Sequence, residues 1–311
     1  MKHLLSLRET SETDIQYLLD TAHAFKEILA RPVKKVPTLR GRSMVTLFYE
    51  NSTRTRTSFE MAAKIMSAEA INIAVAQSSV SKGESLKDTL LTLQALKADC
   101  IVMRHSASGA AEFAAARLGV PIVNAGDGRH EHPTQGLLDM LTIRQHKGDL
   151  AGLTVAIVGD ILHSRVARSN VWGLSKLGVN VRLVGPRTLL PPDADRLPAK
   201  VFDNLKQGLD GADVVNVLRL QLERMESGLL PSLREYSRMF GISASSIKFA
   251  DPDVLILHPG PMNRGVEISA DVADGRFGIQ SAIEEQVTNG VAVRMAVLYT
   301  LMGVADDRAH A

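Results

Sequence analysis

Ser52, Thr53, Arg54, Thr55, Arg56 and Thr57 place hydroxyls and guanidinium groups directly after an apolar run, Met44–Tyr49. Phe59, Ala62, Ala63 and Met66 follow at helical spacing, which predicts a helix whose apolar stripe faces a core. At the start of such a helix the backbone N–H groups lack intrahelical partners, and the dipole favours an anion. Arg54 can add a planar, two-pronged contact to a phosphate. Two readings stand at this point: a phosphate cradle, or a Ser/Thr cap followed by solvated arginines.

A second group is His130-Glu131-His132-Pro133-Thr134-Gln135. Two histidines around a glutamate suggest metal ligation, but the spacing is not that of the zinc-protease helix and no further ligand cluster accompanies it. His132 and Gln135 are three apart at the start of a predicted helix, Thr134–Gln145, so one turn brings both side chains to the same end. Both can then hydrogen-bond one carbonyl or amide group. The alternative is a capping histidine beside a solvated glutamine.

Similar residues follow other apolar runs: Arg104-His105 after Met103, Asn124 and Gly126-Asp127-Gly128 after Val123, and Gly159-Asp160 then Arg165 after Val158. Arg219 and Gln221 follow Leu218, and His258-Pro259-Gly260-Pro261 follows Leu257. Ligands of open parallel sheets bind beyond the carboxyl ends of the strands. The recurrence predicts an active site in an interdomain cleft that holds multiply charged anions. Val155–Asp160 opens like a dinucleotide-binding unit, but Ile161-Leu162-His163-Ser164-Arg165 lacks the remaining glycines, and the chain has no Walker A sequence.

The elements that must position these residues are legible. Strands are expected at Val45–Tyr49, Ile71–Val75, Ile101–Met103, Pro121–Val123, Thr154–Val158, Val179–Val184, Asp213–Leu218 and Val254–Leu257. Helical patterns such as Leu86–Lys97, Ala110–Leu118 and Ser164–Leu177 lie between them. The alternation predicts an α/β fold of two domains, each a parallel sheet flanked by helices. A polar, glycine-containing break at His146–Gly152 divides the chain into residues 1–146 and 147–282. A last helix, Ile283–Met302, ends before Gly303 as its C-cap, and the residues leave open which domain covers its long apolar face.

With 311 residues, 45% of them hydrophobic, the chain is long enough for two cores, and with a net charge of +2 on scattered residues nothing in it suggests a nucleic-acid tract or a membrane-surface helix. No apolar run reaches the roughly 18 residues of a membrane span. Met1–Ser6 lacks the apolar stretch and cleavage signature of a secretion signal. The single cysteine, Cys100, lies in the apolar run Cys100–Met103, which predicts burial. A reducing cytoplasm fits these features.

Together these motifs resemble the aspartate carbamoyltransferases, within the wider transcarbamylase family. The resemblance covers nearly the whole chain: Phe48–Glu60, Ser81–Ser85, Val102–His105, Asn124–Gly128, His132–Gln135, Val158–Asp160, Arg219–Arg224 and His258–Pro261. Ser-Thr-Arg-Thr-Arg marks the wider family. The second substrate is chosen by Arg219-Leu220-Gln221 and His258-Pro259-Gly260-Pro261, where the ornithine enzymes are expected to carry Ser-Met-Gly and His-Cys-Leu-Pro. The resemblance implies that carbamoyl phosphate and L-aspartate give N-carbamoyl-L-aspartate and phosphate, an early step of pyrimidine synthesis. Carried over by motif, Ser52, Thr53, Arg54 and Thr55 cradle the phosphate and Arg104 contacts it. His132 and Thr55 polarise the carbamoyl oxygen, and Gln135 holds the carbamoyl amino group. Arg165, Arg219 and Gln221 bind the aspartate carboxylates. Gly260 and Pro261 supply backbone carbonyls near the reacting amines, with a cis peptide before Pro261; the family often has leucine where this chain has Gly260.

The resemblance also implies a homotrimer in which Ser78, or its neighbour Ser79, and Lys82 reach into an adjacent subunit's site, Lys82 serving both substrates. It further implies that the last helix, with the tail to 311, completes the first domain. It leaves room for assembly with regulatory chains or a dihydroorotase. No metal or organic cofactor is expected. The α-amine attacks the carbamoyl carbon, pre-aimed donors stabilise the charge growing on the carbonyl oxygen, and phosphate leaves. Three alternatives follow from the same residues. One keeps the carbamoyl phosphate site with ornithine or another amine; one is a non-catalytic subunit, which should have lost a phosphate-site arginine, His132 or Lys82; one is a dehydrogenase, against which the incomplete glycine fingerprint argues.

Overall fold

The computed structural model describes residues 1–74, 83–222, 224–225 and 228–303. In chain order the first part runs α1 (Glu12–Leu29), β1 (Ser43–Phe48), α2 (Thr53–Ile65), β2 (Glu69–Ala74), α3 (Leu86–Ala95), β3 (Cys100–His105), α4 (Ala110–Ala115), β4 (Ile122–Asp127) and α5 (Pro133–Lys147). It continues β5 (Thr154–Val158), α6 (Arg165–Lys176), β6 (Asn180–Val184), β7 (Lys200–Phe202), α7 (Leu205–Leu209), β8 (Val214–Val217), α8 (Leu233–Phe240), β9 (Leu255–Leu257), α9 (Ala270–Ala273), β10 (Gln280–Ser281) and α10 (Ile283–Leu298). Two compact units result: Met1–Leu138 together with the chain from Thr288, and Asp139–Val287. The division falls inside α5 and inside α10.

The first unit has a four-stranded sheet, β2-β1-β3-β4, and the second a six-stranded sheet, β10-β9-β8-β5-β6-β7; every pairing is parallel. This is the predicted class. Strands covered on both faces are mostly apolar, which is why β1, β5 and β8 read as largely hydrophobic runs, with Thr46 and Asn216 as buried polar residues among them. Val45, Leu47, Ile101 and Met103 pack with Leu90, Leu93 and Ala111 in one core; Val158, Val184, Val215, Val217 and Ile256 pack with Tyr236 and Phe240 in the other. In the first unit, the Arg294 guanidinium of α10 lies 5.1 Å from the Phe59 ring of α2, and burial lowers the Arg294 pKa to about 10.

Strand order reverses between β1 and β3 in the first sheet and between β5 and β8 in the second. At such a switch point neighbouring strand exits diverge and leave room for a ligand. Gly159, at the β5 exit, has φ +131°, and a side chain there would sit 2.9 Å from the Leu218 carbonyl, so glycine is required for β5 and β8 to end this close together.

Four expectations need correction. β7 and β10 have no counterpart in the predicted strands; they are three- and two-residue edge strands without an apolar run. Arg104, His105 and Asn124–Asp127 lie on β3 and β4 rather than after them, because their polar groups are hydrogen-bonded within the unit. The predicted Thr134–Gln145 helix runs from Pro133 to Lys147. Finally, the last helix stops at Leu298 and widens into a π turn, Tyr299–Gly303, and Gly303 is not left-handed. A Cβ at Gly303 would meet the Tyr299 ring at 2.9 Å, so close packing, not capping, accounts for this glycine. Cys100 is buried, and burial pushes its thiol up to about 12. Among the described residues no helix is long and apolar enough to cross a membrane.

Candidate active site

In the first unit, β1 delivers the chain through Tyr49 and Glu50 to the start of α2. Ser52 occupies the N-cap position with extended backbone but makes no capping hydrogen bond. Ser11, Ser85, Ser164 and Ser232, at the same position of α1, α3, α6 and α8, each accept one through the side chain. The start of α2 thus lacks the side-chain oxygen that serves those helices. Thr53 and Arg54 are exposed there, Ser52 is half-buried and Thr55 is buried.

Arg104 is paired in register with Phe48, beside the β1 exit. Its Nη1 donates to the Ala125 carbonyl at 3.2 Å, and its Nε lies 3.4 Å from Glu50 Oε2. The guanidinium is therefore oriented by groups from β4 and from the β1–α2 turn. Glu50 stands inside the Phe48–Glu60 motif, and nothing in its residue type there marks it as the partner of Arg104.

His132 and Gln135 are both buried at the start of α5, with Pro133 as the first helical residue, where its missing N–H costs no hydrogen bond. The neighbours of His132 are structural. Glu131 accepts the Leu7 and Arg8 N–H groups at 2.7 and 3.1 Å and so ties down the N-terminal segment. Asp127 accepts from Gly109 N–H (2.7 Å), His130 Nδ1 (3.1 Å), Asn124 Nδ2 (2.7 Å) and Glu131 N–H (3.2 Å). Burial opposes the Asp127 charge, but these bonds outweigh it and hold the carboxyl below its ordinary range. Hydrogen bonding to Asp127 in turn raises the His130 pKa. Among the described residues, Glu112, Asp127 and His130 offer a close-set trio of possible metal ligands, yet both Asp127 oxygens already take two donors each. The glutamate and first histidine of the His-Glu-His sequence are thus engaged in holding the turn before α5.

In the second unit, Asp160 organises the switch point. It is fully buried; Oδ1 accepts from His163 Nδ1 at 2.8 Å and His163 N–H at 3.2 Å, and Oδ2 accepts the Gln221 N–H at 3.1 Å. One carboxylate thereby joins the β5–α6 turn, which leads into buried Arg165 at the first position of α6, to the loop after β8. Arg219 Nη2 donates to Gln221 Oε1 at 3.1 Å, and Arg224 Nη1 donates to the His163 carbonyl at 3.3 Å. The loop that carries Arg219 and Gln221 is therefore tied to the turn that leads into Arg165. Along the sequence Asp160 stands in a motif that gives it no role of its own; its signal is a carboxylate following Gly159 at the end of an apolar strand. The remaining segment, His258–Pro261, leaves β9, the strand beside β8. The Gly260–Pro261 peptide is cis, and Gly260 has φ +63°, a conformation costly for a residue that carries a side chain. Ser78, Ser79 and Lys82 lie outside the described residues. An apolar cavity of about 360 Å³, lined by Leu229, Leu230, Tyr236, Met239 and Phe240, contains none of the predicted site residues.

Comparison with known proteins agrees with this layout. The family model described as the aspartate/ornithine carbamoyltransferase carbamoyl-P binding domain matches residues 2–145, and that described as the Asp/Orn binding domain matches residues 151–301. The aspartate carbamoyltransferase catalytic subunit of Desulforamulus reducens is 61% identical over 302 residues, 97% of this chain and 96% of its own length. That of Heliobacterium modesticaldum is 62% identical over 302 residues, with the same coverage. The crystal structure of Trypanosoma cruzi aspartate transcarbamoylase in complex with carbamoyl phosphate superposes with a TM-score of 0.88 at 32% identity, covering 97% of this chain and 96% of that one. On the two sheets, the residues at their switch points and these near-full-length matches, the chain belongs to the aspartate/ornithine carbamoyltransferase family.

Proposed function

We infer that this chain transfers the carbamoyl group of carbamoyl phosphate to the α-amine of L-aspartate, releasing phosphate and N-carbamoyl-L-aspartate for pyrimidine synthesis. The observation that carries the choice of aspartate is the Arg219–Gln221 pair held by Asp160 beside Arg165. Two guanidinium groups suit a dicarboxylate and would repel the side-chain ammonium of ornithine. The near-full-length identity to aspartate carbamoyltransferase catalytic subunits supports the same reading.

In this reading Ser52, Thr53, Arg54 and Thr55 receive the phosphate on the start of α2, where no serine oxygen caps the helix. Arg104, braced by Glu50 and Ala125, adds a second guanidinium at the phosphate end. His132 and Thr55 donate to the carbamoyl oxygen, and Gln135 accepts from the carbamoyl amino group. Arg165, Arg219 and Gln221 grip the aspartate carboxylates. Gly260 and Pro261 turn carbonyls toward the reacting amines. As the amine attacks, charge moves onto the carbamoyl oxygen, and donors already in place are worth about 10²–10³ in rate each. The leaving phosphate can take the amine proton, so the chemistry requires no protein nucleophile, metal or organic cofactor.

The active form is a cytoplasmic homotrimer in which Ser78 and Lys82 are supplied by the neighbouring subunit; regulatory chains or a dihydroorotase are the partners such trimers would take. An amine-acceptor panel tests the reaction: with carbamoyl phosphate saturating, L-aspartate should be carbamoylated with stoichiometric phosphate release. Preference for ornithine, or no phosphate release with any amine, would overturn it.

A further inference from the structure

The His258–Pro261 loop is held from behind by a chain of buried amides. Gly260 N–H donates to His258 Nδ1 at 2.8 Å, and His258 Nε2 faces Glu267 Oε1 at 3.3 Å. The His258 N–H donates to Gln286 Oε1 at 2.9 Å, and Gln286 Nε2 donates to Asp139 Oδ1 at 2.7 Å. Both ends of the Gln286 amide are thus used, and its orientation follows: only the oxygen can take the His258 N–H, and only the nitrogen can serve a carboxylate. The other Asp139 oxygen, Oδ2, accepts Asn170 Nδ2 at 2.7 Å and Asn216 Nδ2 at 3.2 Å. Asp139, Asn170, Asn216 and Gln286 are 0%, 0%, 1% and 2% exposed, so none of these bonds is readily replaced by water. One carboxylate on α5 therefore gathers α6, β8 and α10, and passes its hold through Gln286 to the backbone ahead of Gly260.

We propose that Gln286, oriented by Asp139, is a positioning residue for carbamoyl transfer: it fixes the His258–Pro261 backbone at the place where its carbonyls meet the reacting amine. This rests on the assignment of Gly260 and Pro261 made above. Gln286 reaches that loop through the His258 N–H. Its importance follows from the loop's composition. Glycine at 260 gives the backbone wide freedom, so its placement depends on how His258, to which its N–H is bonded, is itself held by Gln286 and Glu267. A misplacement of about 1 Å at reacting groups costs about 10²-fold in rate.

An amide–carboxylate swap separates this role from simple packing. Gln286→Glu sets two carboxylates against each other, and Asp139→Asn sets its NH₂ against that of Gln286 or, turned over, against those of Asn170 and Asn216. Each should lower kcat about tenfold or more. The aspartate KM should stay within about threefold, since Arg219 and Gln221 are held through Asp160. In the combined Asp139→Asn, Gln286→Glu variant, the new amide donates where Oδ1 had accepted, and its oxygen keeps the Asn170 and Asn216 donors. The new carboxylate accepts from that amide and from the His258 N–H. Most of the kcat should return. Gln286→Met, which removes both bonds without adding charge, serves if a single swap fails to fold.

Hydrogen exchange at the His258 and Gly260 amides, measured on the intact protein, reads the restraint directly; it should quicken about tenfold or more in Gln286→Met and recover in the combined variant. Unchanged exchange in folded Gln286→Met would overturn the proposal, as would failure of the swap to restore kcat. Quickened exchange with kcat within twofold of the parent would leave the restraint standing; it would instead remove Gly260 and Pro261 from the reaction, and the catalytic half of the proposal with them.

Discussion

Replacing Asp160 by alanine should weaken aspartate binding and stability together. The carboxylate is buried and accepts three N–H donors, one from Gln221 and two from His163. A buried donor left without an acceptor costs about 1–3 kcal/mol. Two of the three can escape part of that cost: His163 can move its ring proton to Nε2, and half-buried Gln221 can turn its N–H to water. The His163 backbone N–H has no such relief. A loss of about 2–4 kcal/mol follows, or roughly 5–15 °C in melting temperature for a unit of this size. Function should fall because Gln221 in turn orients Arg219 at 3.1 Å. Loosening one charge-assisted contact is worth about 1.5–3 kcal/mol, so kcat/KM for aspartate should drop about 10- to 100-fold. Carbamoyl phosphate binding in the binary complex, followed by calorimetry, should hold, because Arg54 and Arg104 lie in the other unit. Asp160→Asn keeps the shape and an acceptor for Gln221, and should fall between the parent and alanine. A folded Asp160→Ala enzyme with normal aspartate dependence, measured by initial rates of carbamoyl-aspartate formation, would refute the idea that this carboxylate orders both loops.

Arg54→Ala should nearly abolish turnover yet leave the melting temperature within a few degrees, since the residue is exposed at a helix start; near-normal activity would remove it from the phosphate site. Arg219→Ala should raise the aspartate KM while binary carbamoyl phosphate affinity holds, and the opposite pattern would exchange the two subsites. His130 is raised above its ordinary 6.5 by Asp127, so its contribution is complete below pH 6.5 and lost as pH rises through the raised value; Asp127, lowered from 3.8, contributes above that value and is lost as pH falls through the lowered one. Denaturant titrations of His130→Gln against the parent should therefore show the larger deficit, about 1 kcal/mol or less, near pH 5.5 and a smaller one near pH 8.5; an equal deficit at both would contradict the charged pair. Mixing dissociated Arg54→Ala and Lys82→Ala chains should restore about a quarter of the sites if each trimer site joins one subunit's body to its neighbour's loop. Verified hybrids as inactive as their parents would show that Lys82 is not lent across subunits.

Much of this molecule can be read along the chain, because its strands and helices are set by local periodicity. A strand buried on both faces is mostly apolar, so β1, β5 and β8 announce themselves despite Thr46 and Asn216. A helix start that can receive an anion has to carry small hydroxyl residues and cations, so Ser52–Arg54 does too. β7 and β10 escape notice because two or three residues on a sheet edge show no period. The polar ends of β3 and β4 escape because Arg104 and Asn124 are satisfied by groups that periodicity does not report.

Partnership is what the tertiary structure decides. Asp160 meets Gln221 across 61 positions, Glu131 meets Leu7 across 124, and Asp139 meets Gln286 across 147. Nothing in the composition around a buried carboxylate names the donor that will neutralise it, since any N–H of the right reach satisfies the same chemistry. The candidate binding residues could thus be nominated from residue type and from position after a strand. Which buried groups hold them in place is settled only by strand order, because the switch points at β1–β3 and β5–β8 bring distant loops to one end of a sheet.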